Sequence, residues 1–233
     1  MDFGNSEKFF MTPYTLPESV GIAAGLWNAL RQVPPLDPFD TPGWTNRVAH
    51  AVASLCPRGL RVFGKQWAQE GRREYLVDQC WREFYINKAE THGYPGAIRF
   101  AMECEWLRSP KEQMYDFRKL LDVRADRILY VAGLFKWSDR GQVLPCAVLA
   151  DQHSTFCGEI ILYLFDRSDP VDRFEVWIFG RRQCEERISS PLQFSDFIRG
   201  CASDGSLTNE IHSLEMILAV RAAARELGIL DDD

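Results

Sequence analysis

The chain lacks most of the features that would assign a function class at once. It has no CxxC pair, and its seven cysteines stand apart at 56, 80, 104, 146, 157, 184 and 201. An odd, scattered set argues against a complete disulfide framework, so these residues are expected to be reduced, mostly buried thiols. The histidines, His50, His92, His153 and His212, show no HExxH or i, i+4 spacing, which leaves zinc without support. No apolar run approaches bilayer length, and the opening MDFGNSEKFF has no basic region followed by an apolar stretch. The expectation is a cytoplasmic protein with no membrane partner. The glycines of THGYPGA, residues 91–97, mark a turn and lack phosphate-loop spacing. No internal repeat is apparent.

A basic surplus is also missing overall, since the net charge is -6. Its distribution is uneven. Gly43 to Arg127 carries fifteen Lys or Arg against eleven Asp or Glu, whereas the remainder carries twelve against twenty-two. Only six of the 27 basic residues are lysine, so the positive charge is mostly guanidinium, a group suited to bidentate phosphate contacts. A mildly basic middle is compatible with nucleic acid as a partner, and equally with a solvated surface.

What is present is a chain of 233 residues, 46% hydrophobic, enough for one elaborated domain. Six of the first 42 residues are proline, so 1–42 reads as an irregular lead-in apart from a short helix over 17–31. Residues 43–230 read as a single α/β domain, with a core over 43–135 and a β/α extension over 136–230. A helix is expected from Thr45, with Val48, Ala49, Val52 and Leu55 on one side and Pro57 ending it. Strands follow at Leu60–Phe63, Tyr75–Trp81 and 97–106. Ser109, Pro110, Lys111 and Glu112 form a capping box for a helix to about Arg124, with Met114, Phe117, Leu120 and Leu121 as its apolar stripe. The uninterrupted RILYVAGLF, residues 127–135, has the pattern of a strand buried on both faces. Strands at 159–165 and 173–179 and a final helix over 208–227 complete the reading. The last helix is a candidate surface for a homodimer or a protein partner.

The most informative segment is the third strand. Side chains alternate faces in a strand, so Phe100, Met102, Cys104 and Trp106 point one way and Ala101, Glu103 and Glu105 the other. Two glutamates on one face cost stability unless a metal, a cation or water offsets them. Asp78 sits among apolar neighbours in YLVDQCW, where an aspartate is unfavourable unless paired, at a turn or facing a site. If their strands are neighbours, Asp78, Glu103 and Glu105 can converge as oxygen ligands for Mg²⁺ or Mn²⁺. Lys119 is the candidate to stabilise negative charge beside them, and its alternative partner is Asp116 at i, i+3.

This order of helix, strand, strand with Asp78, strand with Glu103-Cys104-Glu105, helix with Asp116-Phe117-Arg118-Lys119, and strand resembles the PD-(D/E)XK nuclease superfamily over about Gly43 to Phe135. It also resembles bacterial proteins sharing an ExEW…DFxKL pattern. The resemblance implies a restriction-endonuclease-like fold and a metal-dependent nuclease acting on DNA, with Asp78 and Glu103 as metal ligands. Glu105 occupies the family's usual lysine position and Val77 that of the motif proline. Lys119 would then be the lysine migrated to the following helix. The rival expectation is an inactive scaffold of the same fold that serves as a binding or regulatory protein.

Overall fold

A computed structural model describes residues 14–34, 36–70, 76–86, 93–106, 110–139, 143, 156–170, 173–179, 194–200 and 207–210. Two helices, α1 (Ser19–Arg31) and α2 (Thr41–Ser54), precede the strands β1 (Leu60–Gly64), β2 (Gln79–Ile86) and β3 (Gly93–Glu105). Helix α3 (Pro110–Leu121) leads into β4 (Arg127–Leu134), followed by β5 (Glu159–Asp166), β6 (Phe174–Phe179), β7 (Phe194–Gly200) and β8 (Leu207–Glu210). The eight strands form one mixed sheet in sequential order. Strands β3, β4 and β5 are mutually parallel and every other neighbouring pair is antiparallel. The fold is therefore α/β.

Alternation along the strands sorts the core into two layers, one on each face of the sheet. On one face Phe100, Met102 and Cys104 of β3, with Trp106 just after it, pack with Leu129 and Val131 of β4 beneath α1 and α2. On the other, Ala101, Ile128, Tyr130 and Ala132 pack under Phe117, Leu120 and Leu121 of α3. Every residue of β4 is buried, as its unbroken apolar run requires. Phe117 meets Tyr130 edge-on at a centroid distance of 5.4 Å, which fixes α3 over the β3–β4 junction.

The lead-in is less irregular than its prolines suggest. In α1, Ile22, Leu26 and Leu30 are buried at the i, i+4, i+8 spacing of a helix that packs on one face. Helix α2 begins at Thr41 rather than Thr45, because the Asp40 carboxylate accepts from Gly43 N at 3.0 Å and Pro42 occupies the first turn. Strand β2 starts after Asp78, so that aspartate stands at the strand entrance and not inside a strand over 75–81. The expected helix over 208–227 is corrected at its start, since 207–210 is strand β8 paired to β7; residues 211–227 lie outside the described residues. Ser109, the cap residue expected for α3, also lies outside them. Cys56, Cys80 and Cys104 are free thiols, but Cys157 is disulfide-bonded to a residue outside the described set, which corrects the expectation of reduced cysteines throughout. Spacing along the chain carries no information about which cysteines meet in space. Among the described residues, no helix is long and apolar enough to cross a membrane.

Candidate active site

Three strand registers assemble the site. Gly64 pairs with Gln79, Gln79 with Met102, and Glu103 with Tyr130. One step beyond the first two pairs, Lys65, Asp78 and Glu103 fall side by side across the end of the sheet. Gly64 permits this approach, because a Cβ there would stand 2.6 Å from the Asp78 carbonyl oxygen.

Asp78 is held from three directions. Its Oδ1 accepts from Lys65 Nζ at 2.9 Å, its Oδ2 accepts from the backbone N–H of Cys104 at 3.0 Å, and it is hydrogen-bonded to the Glu103 carboxyl. Burial raises its pKa, but the bonds from Glu103, Lys65 and Cys104 outweigh that and hold it below the ordinary aspartate value. Glu103 is shifted the other way, up to about 8, first by burial and then by the negative charge of Asp78. A bond between two carboxyls needs a proton, and these opposite shifts put it on Glu103. Glu103 Oε1 is in close ionic contact with Lys119 Nζ yet makes no hydrogen bond of ordinary geometry.

Lys119 also pairs with Asp116 Oδ1 at 3.3 Å, so the partnership expected within α3 exists alongside the one that reaches across to β3. Burial opposes its charge, but Glu103 and Asp116 raise its pKa on balance. Glu105 forms a second acid pair with Asp116, and its carboxyl is pushed up to about 7 by burial and by that bond. Six charged groups thus form one chain: Lys65, Asp78, Glu103, Lys119, Asp116 and Glu105. The Asp78 and Glu103 side chains are 10% and 5% exposed, those of Lys65 and Lys119 67% and 36%, so the acids make a floor and the lysines a rim.

Four carboxyls against two ammonium groups leave an excess of acid, and both glutamates are held above the ordinary carboxylate range. Asp78 and Glu103 meet, while Glu105 bonds Asp116. Among the described residues, no three His, Cys, Asp or Glu side chains are arranged to hold a metal ion. Successive same-face residues on a strand are about 6.6 Å apart, so Glu105 stands one step beyond Glu103 and turns to Asp116. The remaining pair of Asp78 and Glu103 does fit Mg²⁺, which is commonly held by one or two carboxylates while water and substrate phosphates complete its octahedron.

Arg99, on the same strand as the two glutamates, bonds Glu83 at 2.6 Å and lies 3.4 Å from Asp126. Lys65 was missed by sequence reasoning because it follows β1 in the charged run KQWAQEGRRE; only the β1–β2 pairing reveals its partner. Trp81, Trp106 and Trp177 are buried, and Trp67 and Trp137 are half-buried against the core. The chain matches no family model and no curated protein.

Proposed function

We propose that this protein is a divalent-metal-dependent phosphodiester hydrolase, a nuclease acting on DNA, built on a restriction-endonuclease-like core. The observation that carries the reading is the buried Asp78–Glu103 pair, which shares a proton beneath a rim of two lysines. The element order α2, β1, β2, β3, α3, β4 is consistent with it. Asp78 and Glu103 would hold Mg²⁺ or Mn²⁺. When bound, the ion would polarise a phosphoryl oxygen and lower the pKa of water. Lys119, anchored by Asp116, places a positive charge above Glu103, where negative charge develops on a phosphate under attack. Lys65 does the same from the β1 side. Glu105 titrates near neutrality and lies one strand step away, so it can accept a proton from the attacking water or return one to the departing oxygen.

The test is cleavage of labelled duplex DNA, single-stranded DNA and RNA with Mg²⁺ or Mn²⁺, comparing wild type, Glu103→Gln and an EDTA control. Metal-dependent cleavage of DNA that is lost in the variant is the expected result. A second reading, an inactive scaffold that binds or regulates a partner, is favoured by one feature: Lys65 and Lys119 already occupy the two acids with contacts of their own. It predicts neither cleavage nor calorimetric metal binding.

A further inference from the structure

Arg167 follows β5 and is fully buried, yet among the described residues none of Nε, Nη1 and Nη2 has a hydrogen-bond partner. A guanidinium presents five N–H donors and keeps its charge in proteins, so burying it unpaired is among the costliest arrangements a chain can adopt. Its surroundings are aromatic: the Phe135 ring centroid lies 4.1 Å from Cζ and that of Trp106 5.5 Å. Such contacts stabilise a cation but leave its N–H donors unused. Asp37 and Asp40 exert only a longer-range attraction, and their carboxylates are engaged by the backbone N–H groups of Phe39 and Gly43. The niche is built into the sheet. A side chain at Gly133 would stand 2.4 Å from the Trp106 ring and 3.1 Å from Arg167 Cγ, so only glycine leaves room for both. Trp106 is fixed in turn by donating from Nε1 to Thr45 Oγ1 at 2.5 Å.

The position fits a ligand. Arg167 lies where the parallel strands β4 and β5 end, its backbone N–H bonded to Leu134 O, and ligands of open α/β sheets bind at the carboxyl ends of parallel strands. Trp106, the residue after Glu105, separates it from the acid cluster on the opposite face.

We infer that Arg167 is the anchor of a second, phosphate-binding site, its fork reserved for the oxygens of a bound phosphate group. Phosphate satisfies a guanidinium bidentately and supplies the missing acceptors. Phe135 is half-buried and lies tilted against Phe39 at a centroid distance of 5.4 Å, Phe39 itself being 77% exposed, and is the side chain that turns aside to admit the anion. The inference stands without the metal-site reading; that reading bears only on whether the phosphate is free or belongs to a nucleic-acid strand.

Melting curves in EDTA, with sodium phosphate or a short DNA oligonucleotide against sodium chloride at matched ionic strength, test it. Phosphate, the oligonucleotide or both should raise the wild-type midpoint. Glu103→Gln should respond to phosphate as wild type does, which separates this site from the acid cluster. Arg167→Met should melt at or above wild type without anion, since it removes an unpaired buried charge, and should bind the anion at least about tenfold more weakly. Arg167→Lys, which keeps the charge without the fork, should also bind more weakly and serves if the methionine variant does not fold. A response to phosphate identifies a free anion as sufficient; a response to the oligonucleotide alone identifies a strand phosphate. The proposal is overturned if wild type responds to neither ligand, if the variants respond as strongly as wild type, or if Arg167→Met melts well below wild type in chloride.

Discussion

Glu83 and Glu103 are buried glutamates on adjacent strands, β2 and β3, and their carboxyls are driven in opposite directions. Around Glu83 the groups balance: Arg99 donates at 2.6 and 2.8 Å, Tyr85 OH at 2.6 Å and Tyr14 OH at 3.1 Å. Burial raises its pKa, but these bonds prevail and hold it below 4.5. Around Glu103 acids outnumber cations, and the same residue type is pushed up to about 8. Burial of a carboxyl is thus no signal of function. The surplus of like charge is the signal, because folding alone gives no reason to assemble it.

The sharpest way to break this comparison is to neutralise each glutamate. Under the nuclease reading, Glu103→Gln should lower metal-dependent cleavage on the order of 10³-fold while leaving the fold intact, whereas Glu83→Gln should keep most activity. In melting experiments the order reverses. Glu83→Gln strands Arg99 and Tyr85 and should cost about 2 kcal/mol, a figure already discounted because Arg99 is one-third exposed.

Phe117→Ala should cost about 3 kcal/mol through the cavity left against Tyr130. It should also reduce cleavage by about tenfold or more, by loosening the helix that carries Lys119. A melting curve and a cleavage assay on one preparation separate the two effects. Mg²⁺ at 100 times its dissociation constant should stabilise wild type by about 2.7 kcal/mol and should leave Glu103→Gln unmoved, as read by thermal denaturation.

Acid and base should also part the two sites. Glu83 has a depressed folded pKa, so it binds fewer protons folded than unfolded; its contribution is present above 4.5 and is lost as pH falls through the folded value. Glu103 has a raised folded pKa and binds more protons folded, so stability falls as pH rises from 4.5 towards about 8. Urea denaturation in EDTA at pH 5 and pH 8 should show the second slope shrinking in Glu103→Gln. A loss at pH 8 as large in that variant as in wild type would erase the contrast.

Much of the scaffold was legible because it rests on period and composition. Glu103 and Glu105 share a face of β3, and residues 127–134 are buried on both faces, as alternation and the apolar run demanded. Helix α3 starts at Pro110 as expected and ends at Leu121, short of Arg124, and Lys119 does lean towards Asp116. The partners of the carboxylates were not legible. Glu105 bonds Asp116 instead of joining a triad, and Arg99 serves Glu83. The start of β8 within a stretch of helical periodicity shows local pattern yielding to strand pairing.

By itself, then, the sequence determined the order of helices and strands in the core and which side of β3 and α3 is apolar, because these depend on neighbours a few residues away, while the bounds of β2 and the start of β3 within the supposed turn at 91–97 followed strand pairing. Tertiary structure decided everything that depends on register between distant strands. It set Lys65, Asp78 and Glu103 in one row, left Arg167 buried without an acceptor and made Glu83 ordinary beside Glu103, because ion pairing and desolvation act through space across separations that the chain order does not encode.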